Sequence, residues 1–302
     1  MNIGVMTVNG WEFHPNARFR KEADTRGHQI TLINPYDMGC ILGEAGADIF
    51  FDQGRLPDHL LDLVMPRQGS PMGEYGFVLL NHFSCLGIPL VNRIQGVAIA
   101  RNQFLTLQAL AGAGLPVPET CFAVSREAVM GAIQRLGGYP VVAKQVDGMG
   151  GEGVVKLHDR DEADALLARQ FIPQKGLVIQ AYIPSSGRRD IRMLVIGGQV
   201  AGAVTLTPRP GEFKSNLHQQ GRPCAFTPDP ALARMAVTAA KACALEIAGV
   251  DMMTDARGRV MVHEVNYSPG FRGMEAATGL NIAGDILDHA LGQCLEKTKV
   301  NK

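Results

Sequence analysis

Short apolar runs alternate with amphipathic segments along the first third of the chain. Each run has the length of a buried strand, and the segments between them have the spacing of surface helices. This alternation favours a parallel sheet covered by helices, so we predict a doubly wound α/β domain over residues 1–95. The strand-like runs are 2–8, 29–33, 48–52, 63–66 and 89–92, and the helical segments are 16–26 and 75–86.

The rest of the chain mixes strands and helices without strict alternation, which is typical of an α+β arrangement. Gly197–Gly198 separates two apolar runs and predicts a tight hairpin. The predicted helices are 98–111, 126–136, 161–170, 230–246 and 282–294. The predicted strands are 119–124, 139–144, 153–157, 177–183, 193–196, 200–206, 250–253 and 259–266.

The most informative pattern lies near the C-terminus, where two strand-like runs flank a turn at residues 255–258. A hairpin there places Asp251 opposite Glu264. Asn266 shares the face of Glu264 because side chains alternate along a strand, and His263 is predicted on the opposite face, in the core or behind the site. Two carboxylates and an amide oxygen on one face suit Mg²⁺. The alternative is an exposed acidic hairpin, which the alternating apolar residues disfavour.

A glycine-rich loop follows the buried strand that ends at Lys144. Glycines leave the backbone N–H groups open to close approach by phosphate oxygens, and Lys144 adds a positive charge at the same place. By itself the loop is weak evidence for phosphate binding, because a flexible hairpin tip has the same composition. Its glycines are Gly148, Gly150, Gly151 and Gly153.

Two further polar segments, with the metal hairpin and the glycine-rich loop, make four motifs that could take part in nucleotide chemistry. Asp190 and Arg192 share a face at the start of a strand, and residues 211–218 carry a cation, a hydroxyl, an amide and an imidazole close together. Either segment alone is consistent with an ordinary charged surface. The polar residues of the second segment are Lys214, Ser215, Asn216 and His218.

In this order, the four motifs resemble those of the ATP-grasp superfamily and, within it, the RimK-like carboxylate–amine ligases. The matching stretches cover most of residues 60–285 and include Asp-Ile-Arg at 190–192, Ser-Asn-Leu-His at 215–218 and Glu-Val-Asn-Tyr-Ser-Pro-Gly at 264–270. The resemblance implies a pre-ATP-grasp domain over 1–95, followed by a two-lobed ATP-grasp fold. It places a central lobe with the glycine-rich flap at 96–183 and a C-terminal lobe with the metal site at 184–302.

The resemblance also implies a nucleotide site between the two lobes. Lys144 would contact the α- and β-phosphates beneath a flap made by the four glycines, and Asp190 would lie near the ribose and phosphates. The hinge between the lobes, whose backbone meets the adenine edge, corresponds to Gln180, Ala181, Tyr182 and Ile183. The segment that closes over ATP corresponds to Lys214, Ser215 and Asn216.

For the reaction itself, the resemblance implies that Arg192, together with Lys144, supports the acyl phosphate. Asp251, Glu264 and Asn266 would hold two Mg²⁺ ions, with Glu264 bridging them and Mn²⁺ as an alternative. The expected substrate contacts are Arg67 and Ser268, which would meet carboxylates, and His218, which would orient its loop or approach the substrate.

The implied activity is ATP-dependent, ADP-forming ligation of a carboxylate to an amine through an acyl phosphate. L-Glutamate is the expected amine, and the acceptor is a carboxylate on a protein C-terminus, a carrier or a cofactor. One alternative is the same chemistry with another amine. A second is an ATP-binding regulatory module without turnover, which Gln103 and Ala181 favour. These residues, and Lys214, stand where relatives carry Lys, Glu and Arg, and all three departures bear on nucleotide affinity. Arg101 or a neighbour is a candidate to compensate for Gln103.

The composition of the chain limits which classes of binding partner are expected. The formal net charge is zero and the isoelectric point is about 7.1, which argues against a broad nucleic-acid surface. Six scattered cysteines without a CxxC pair indicate reduced core thiols. No apolar run approaches the roughly 20 residues of a membrane span, so we expect no membrane partner and a cytoplasmic location. The resemblance further implies a homo-oligomer, either a dimer or a tetramer.

Overall fold

The structure, a computed structural model, describes residues 1–44, 46–51, 54–55, 60–68, 73–146, 153–184, 188–206 and 223–300. Its described elements form four sheets. None of the helices in these ranges is both long and apolar enough to cross a membrane.

The first domain contains the predicted parallel sheet, in the order β2-β1-β6. Its strands are β1 (Asn2–Met6), β2 (Gln29–Ile33) and β6 (Leu63–Pro66), and its helices are α1 (His14–Thr25) and α2 (Gly73–Cys85). Residues 89–92 were predicted as a further strand but contribute only one parallel bridge, from Leu90 to Val64. Because β1 lies between β2 and β6, the loops that follow β1 and β6 flank the crevice where ligands bind in such sheets.

The strand predicted at 48–52 does not continue the parallel sheet. It lies in a separate antiparallel sheet of order β3-β4-β5, and the prediction that it extends the β/α alternation is wrong. β3 ends at Gly43 and β4 begins at Gly46, a gap that allows a hairpin but not the long crossover that parallel strands need. These strands are β3 (Met38–Gly43), β4 (Gly46–Phe51) and β5 (Gly54–Arg55), preceded by a 3-10 turn at Pro35–Asp37.

The helix predicted at 98–111 is two helices, α3 (Ile94–Ala100) and α4 (Gln103–Gly112). Asn102 separates them because its side-chain oxygen accepts hydrogen bonds from the backbone N–H groups of Phe104 and Leu105, at 3.0 and 3.1 Å. Such a cap satisfies donors that a continuous helix would bond internally. It places Gln103 at the first turn of α4.

The central lobe is an antiparallel sheet in the order β7-β10-β8-β9. One face packs against α5 and α6 in a core of its own, to which Ala143, Leu157 and Ile179 belong. The other face looks away from these helices. The elements are β7 (Thr120–Ala123), α5 (Arg126–Arg135), β8 (Val141–Lys144), β9 (Val154–Leu157), α6 (Arg160–Gln170) and β10 (Leu177–Ala181).

The C-terminal lobe is a five-stranded sheet in the order β13-β12-β11-β14-β15. The predicted Gly197–Gly198 turn joins β11 to β12, with both glycines at positive φ. The predicted helix at 230–246 stops at Ala242, since Ala244 has a positive φ and β14 begins at Ile247. The elements are β11 (Arg189–Ile196), β12 (Gln199–Leu206), β13 (Pro223–Ala225), α7 (Pro230–Ala242), β14 (Ile247–Thr254), β15 (Val260–Asn266), α8 (Arg272–Thr278) and α9 (Ile282–Val300).

The first domain and the C-terminal lobe share their cores. One core contains Val64 and Leu80 of the first domain together with Val250 of β14. The other contains Val5 of β1 together with Leu194 of β11 and residues of α9. Both cores therefore join side chains of the C-terminal sheet to side chains of the first domain, and α9 contacts β11 on one side and α1 and β6 on the other.

Asn92 adds a polar tie between the same two units. Its buried amide donates to the carbonyls of Ile247 and Tyr267, at 2.7 and 2.8 Å. Its oxygen accepts from the backbone N–H groups of Glu246 and Ile247. A side chain that makes four hydrogen bonds across an interface holds the end of the first domain in register with β14 and the chain that follows β15.

Candidate active site

Three charged side chains form one row across the middle of the C-terminal sheet. Arg192 of β11 lies opposite Asp251 of β14, and Asp251 lies opposite Glu264 of β15. The pairing of Asp251 with Glu264 is the one predicted from the hairpin. Asn266 follows two residues after Glu264, opposite Gly249, so it shares the face of the row.

A β-bulge interrupts β15 at this row. Asp251 pairs with Glu264 but Met252 pairs with Val262, which leaves His263 as the extra residue. Val262 and Val265 consequently face the same core although an odd number of positions separates them. The prediction that His263 points away from Glu264 is therefore wrong, because strict alternation fails at a bulge.

The charges of the site act on the imidazole of His263, as expected for a residue on the site face. Burial lowers its pKa to about 3, and the positive charges of Lys144, Arg188 and Arg192 add to that effect against the carboxylate of Asp251. His263 is therefore neutral at physiological pH. It is a site residue that the sequence pattern placed on the wrong face.

Arg192 and Asp251 form a two-pronged ion pair. Nε of Arg192 lies 2.6 Å from Oδ1 of Asp251, and its Nη2 also bonds Oδ2. Burial acts to lower the pKa of the guanidinium, but the charge and hydrogen bonds of Asp251 outweigh it and raise the pKa above its ordinary value. The guanidinium is thus a fixed, permanently charged donor at the β11 end of the row.

Glu264 is in a different position. Burial and the nearby carboxylate of Asp251 raise its pKa, against the opposing charges of Arg192 and Lys144. Two carboxylates brought side by side in a half-buried place repel each other, and a bound cation relieves that repulsion. Nδ2 of Asn266 donates to Oδ2 of Asp251 at 3.5 Å, and the amide group also carries an oxygen donor on that face. The three side chains therefore fit a hard divalent cation, although the described residues contain no group of three carboxylate, histidine or cysteine side chains placed to hold a metal.

Lys144 faces this row from the central lobe. It ends β8, its side chain is only 7% exposed, and its charge interacts with Glu264 and His263. Burial lowers the pKa of its ammonium to about 8, against the pull of Glu264. Lys144 is therefore still largely charged at neutral pH and lies where the glycine-rich loop begins, as predicted.

Asp190 and Arg188 form a buried ion pair at the start of β11, 3.0 Å between Nη2 and Oδ2. Arg188 also approaches the carbonyl of Ile183 at 3.4 Å. Asp190 was predicted as a site residue, but Arg188 was not, because two consecutive arginines before a strand gave no sign of which one turns inward. Its charge reaches His263, so it belongs to the same cluster.

The predicted hinge lies at the end of β10. The side chain of Gln180 donates to the hydroxyl of Thr120 at 2.9 Å, and the backbone N–H of Ala181 donates to the carbonyl of Glu119 at 2.9 Å. Tyr182 and Ile183 continue from it, half-buried. Because the amide N–H of Ala181 is already bonded, any backbone contact to a base at this hinge would come from its other groups.

Gln103, at the departure noted in the sequence, lies close to the site. Its backbone N–H donates to the carbonyl of Val146 at 2.9 Å, just beyond Lys144. Arg101 is held elsewhere: it forms an ion pair with Glu74 and its guanidinium lies 4.7 Å from the ring centroid of Phe77. Both partners are on α2, so the guanidinium of Arg101 is directed to that helix.

Arg67 lies at the carboxyl end of β6, beside the edge-to-face pair of Phe19 and Phe271, and its guanidinium is 5.4 and 5.9 Å from their ring centroids. Its Nη2 donates to the carbonyl of Pro269 at 2.6 Å. Pro269 follows Ser268, the other residue expected to contact a substrate carboxylate. Burial lowers its pKa to about 10, so it stays charged at neutral pH.

The guanidinium of Arg67 lacks a counter-ion among the described residues, and its buried Nε makes no hydrogen bond there. A buried cation without a carboxylate is costly unless a ligand supplies the negative charge.

The remaining predicted site residues are only partly open to structural description. Gly153 has a φ of +70°, which favours glycine, and its carbonyl accepts from the N–H of Gln145 at 3.0 Å. The others lie outside the described residues: Gly148, Gly150, Gly151, Lys214, Ser215, Asn216 and His218.

Comparison with known proteins bears directly on this arrangement. Residues 1–97 match the RimK PreATP-grasp domain, and residues 100–290 match the RimK-like ATP-grasp domain. A "probable alpha-L-glutamate ligase" of Marinobacter nauticus is 35% identical over 288 residues, which is 95% of this chain and 94% of the relative.

Two solved structures share the fold. A RimK domain ATP-grasp protein from Sphaerobacter thermophilus superposes with a TM-score of 0.73 at 24% identity, covering 96% of this chain and all of the other. The ATP-grasp ligase PsnB, in complex with a variant of its minimal precursor, Mg and ADP, gives a TM-score of 0.69 at 23% identity, with coverage of 96% and 98%.

The fold, the charged row and these relatives define an ATP-grasp ligase, an enzyme that forms carbon–nitrogen bonds. Within that class, the chain belongs to the RimK-like family.

Proposed function

We propose that this protein is an ATP-dependent, ADP-forming ligase that joins L-glutamate, through its amine, to a carboxylate acceptor by way of an acyl phosphate. The observation that carries the proposal is the row Arg192–Asp251–Glu264, which faces Lys144 across the cleft between the lobes. Cations and carboxylates meeting in this way provide both a phosphate site and a divalent-cation site. Glutamate as the amine rests on the name of the Marinobacter relative.

Asp251, Glu264 and Asn266 are the residues that would hold Mg²⁺, with Mn²⁺ as an alternative. Their oxygen-only donor set and the repulsion between the two carboxylates support this role. When bound, the ions would neutralise the charge of the β- and γ-phosphates. The Mg and ADP complex of PsnB supports Mg²⁺ and an adenine nucleotide as ligands. By the family resemblance, the site would hold two ions, and Glu264 would be a ligand of both.

The side chains of this protein would contribute to the reaction by positioning the phosphoryl group and stabilising its charge. The substrate carboxylate attacks the γ-phosphorus of ATP, forming the acyl phosphate and releasing ADP. Arg192 donates to the phosphoryl oxygens as their charge redistributes, and Lys144 stabilises the phosphates from the other lobe. The amine of glutamate then attacks the acyl carbon, an amide bond forms and inorganic phosphate leaves.

Arg67 is the candidate anchor for a substrate carboxylate that does not react. Its hydrogen-bond partner Pro269 follows Asn266, the last residue of β15, by three positions. Arg67 is therefore displaced from the charged row, toward the segment that follows β15. A ligand carboxylate there would supply the counter-ion that the described residues lack. Because the acceptor and glutamate both carry carboxylates, Arg67 can serve either substrate.

The proposal is tested by measuring phosphate release from ATP and Mg²⁺, with L-glutamate and pools of candidate acceptors. We expect release that requires both the amine and an acceptor, and a product whose mass exceeds that of the acceptor by one or more glutamyl units. Phosphate release with another amine but not with glutamate would overturn the assignment of glutamate as the amine substrate. ATP binding without release in any combination would instead favour a nucleotide-binding regulatory module.

For Arg67, we expect substitution by methionine to raise the KM of one carboxylate substrate at least about tenfold, since a hydrogen bond to a charged group is worth roughly 1.5–3 kcal/mol. The KM of ATP should stay within about twofold, because Arg67 lies away from the row. Steady-state kinetics with each substrate varied in turn measures both. Arg67→Lys keeps the charge but loses the two parallel donors of the guanidinium, so its KM for that substrate should lie between those of the wild type and Arg67→Met. An equal rise in the KM values of all substrates would contradict a role of Arg67 in binding a substrate carboxylate.

A further inference from the structure

A second lysine lies on the same sheet face as Lys144. In the central lobe, Lys144 pairs with Val178 and Val154, whereas Lys156 pairs with Val142, which in turn pairs with Gln180. Lys144 and Val142 are two residues apart on β8, so the two rows share one face.

That face is the one opposite the helices of the lobe. The helix-packed core takes Ala143, Val155 and Ile179, the residues that alternate with these rows. Since Lys144 interacts with Glu264 of the other lobe, the face that carries both lysines is the wall of the cleft.

The ammonium of Lys156 is fixed against the hinge. Its Nζ lies 4.0 Å from the ring centroid of Tyr182, a cation–π contact. Lys156 is half-buried and forms no ion pair with any carboxylate in the described part of the chain. The ammonium has three N–H donors, and the face of one aromatic ring cannot engage all of them. Lys156 therefore retains N–H groups that can donate hydrogen bonds into the cleft.

The two lysines mark different ends of the cleft. Neighbouring residues on one strand face are about 7 Å apart, and Lys156 is displaced by that step from Lys144 toward Gln180 and the hinge. Lys144 is beside the glycine-rich loop and the metal row, which suit phosphates. The position of Lys156, beside Gln180 and Tyr182, suits the other end of a nucleotide.

We propose that Lys156 recognises the nucleoside part of the nucleotide, donating a hydrogen bond to an acceptor atom of the purine or ribose held against Tyr182. The inference rests on the proposed nucleotide site. It gives a physical reason why Gln103, an uncharged residue near the phosphate end, is compatible with binding: part of the affinity is supplied at the nucleoside end. Ring nitrogens and ribose oxygens are acceptors that an ammonium matches.

The experiment compares ATP and adenosine on the full-length protein, by titration calorimetry for ATP and by competition of adenosine against a fluorescent ATP analogue. Lys156→Met removes the charge at similar length. We expect it to weaken ATP and adenosine alike, by about tenfold, the effect of one lost hydrogen bond to a charged group. Lys156→Arg should recover most of the affinity. Lys144→Met should weaken ATP but leave adenosine unchanged.

Lys21→Met, on the exposed surface of α1, is the matched control and should change neither affinity. Unchanged affinities in Lys156→Met would overturn the inference, and so would a loss confined to ATP, which would mean a phosphate contact. Failure of adenosine to compete in the wild type would also overturn it. If the wild type bound neither ATP nor adenosine, the proposed function itself would fail, an outcome distinct from the others.

Discussion

Replacing Glu264 by glutamine should reduce ligation at least about a thousandfold. Glutamine keeps the shape and one oxygen but removes the negative charge that would hold the divalent cation between protein and phosphates. Loss of about 4 kcal/mol of transition-state stabilisation corresponds to that factor. The measurement is phosphate release with ATP, Mg²⁺, glutamate and acceptor, together with the Mg²⁺ concentration that gives half-maximal rate in both proteins.

The stability of this variant separates loss of chemistry from loss of fold. The pKa of Glu264 is raised by burial and by Asp251, so the folded protein favours the uncharged form of this group. A neutral side chain should therefore leave the melting temperature unchanged or higher. Glu127→Gln, on the exposed side of α5, is the control and should keep full activity. Full turnover in Glu264→Gln would contradict the metal role.

Replacing Arg192 by lysine should lower kcat about a hundredfold or more and change the KM of ATP much less. The charge is kept, but a point charge cannot hold both oxygens of Asp251 and also reach the phosphoryl group in a fixed plane. Loss of one well-placed donor to developing charge typically costs a factor of 10²–10³ in kcat. Single-turnover measurement of ADP formation would show the defect at the phosphoryl-transfer step.

Arg259→Lys provides a matched control on the same hairpin. Arg259 also binds a carboxylate, Asp255, at 2.7 Å, but the guanidinium is largely exposed at the turn, far along β15 from the row. We expect wild-type kinetics from it, because exposed pairs contribute little. An equal effect of the two substitutions, or a kcat of Arg192→Lys near that of the wild type, would refute a catalytic role for the guanidinium.

Local patterns carried the prediction of the metal row. The turn at 255–258 and the alternation on either side of it specify which residues pair, and Asp251 does lie opposite Glu264. Alternation could not show the bulge at His263, since one extra residue in a strand leaves no mark in the hydrophobic pattern except the spacing of Val262 and Val265. That spacing, three instead of two or four, is the signal that would have revealed it.

Long-range contacts were less accessible. Arg67 bonds Pro269 across 202 positions, and nothing in either segment specifies that meeting. The approach of Lys144 to Glu264 followed only from family resemblance, because it depends on how two lobes are set on each other. Arg188 was missed for a related reason: whether an arginine before a strand turns inward is decided by its partner Asp190 and by the opposite lobe.

The distribution of the three cores has a consequence for how the chain unfolds. Two cores contain side chains from both the first domain and the C-terminal lobe, whereas the third belongs to residues 121–179 alone. Side chains that share a core lose their packing together, so we expect two cooperative folding units although the described elements form four sheets. We expect the first domain, α3, α4 and the C-terminal lobe to form one unit, and the part of the central lobe at 121–179, which carries Lys144 and Lys156, to be an insertion with its own local stability.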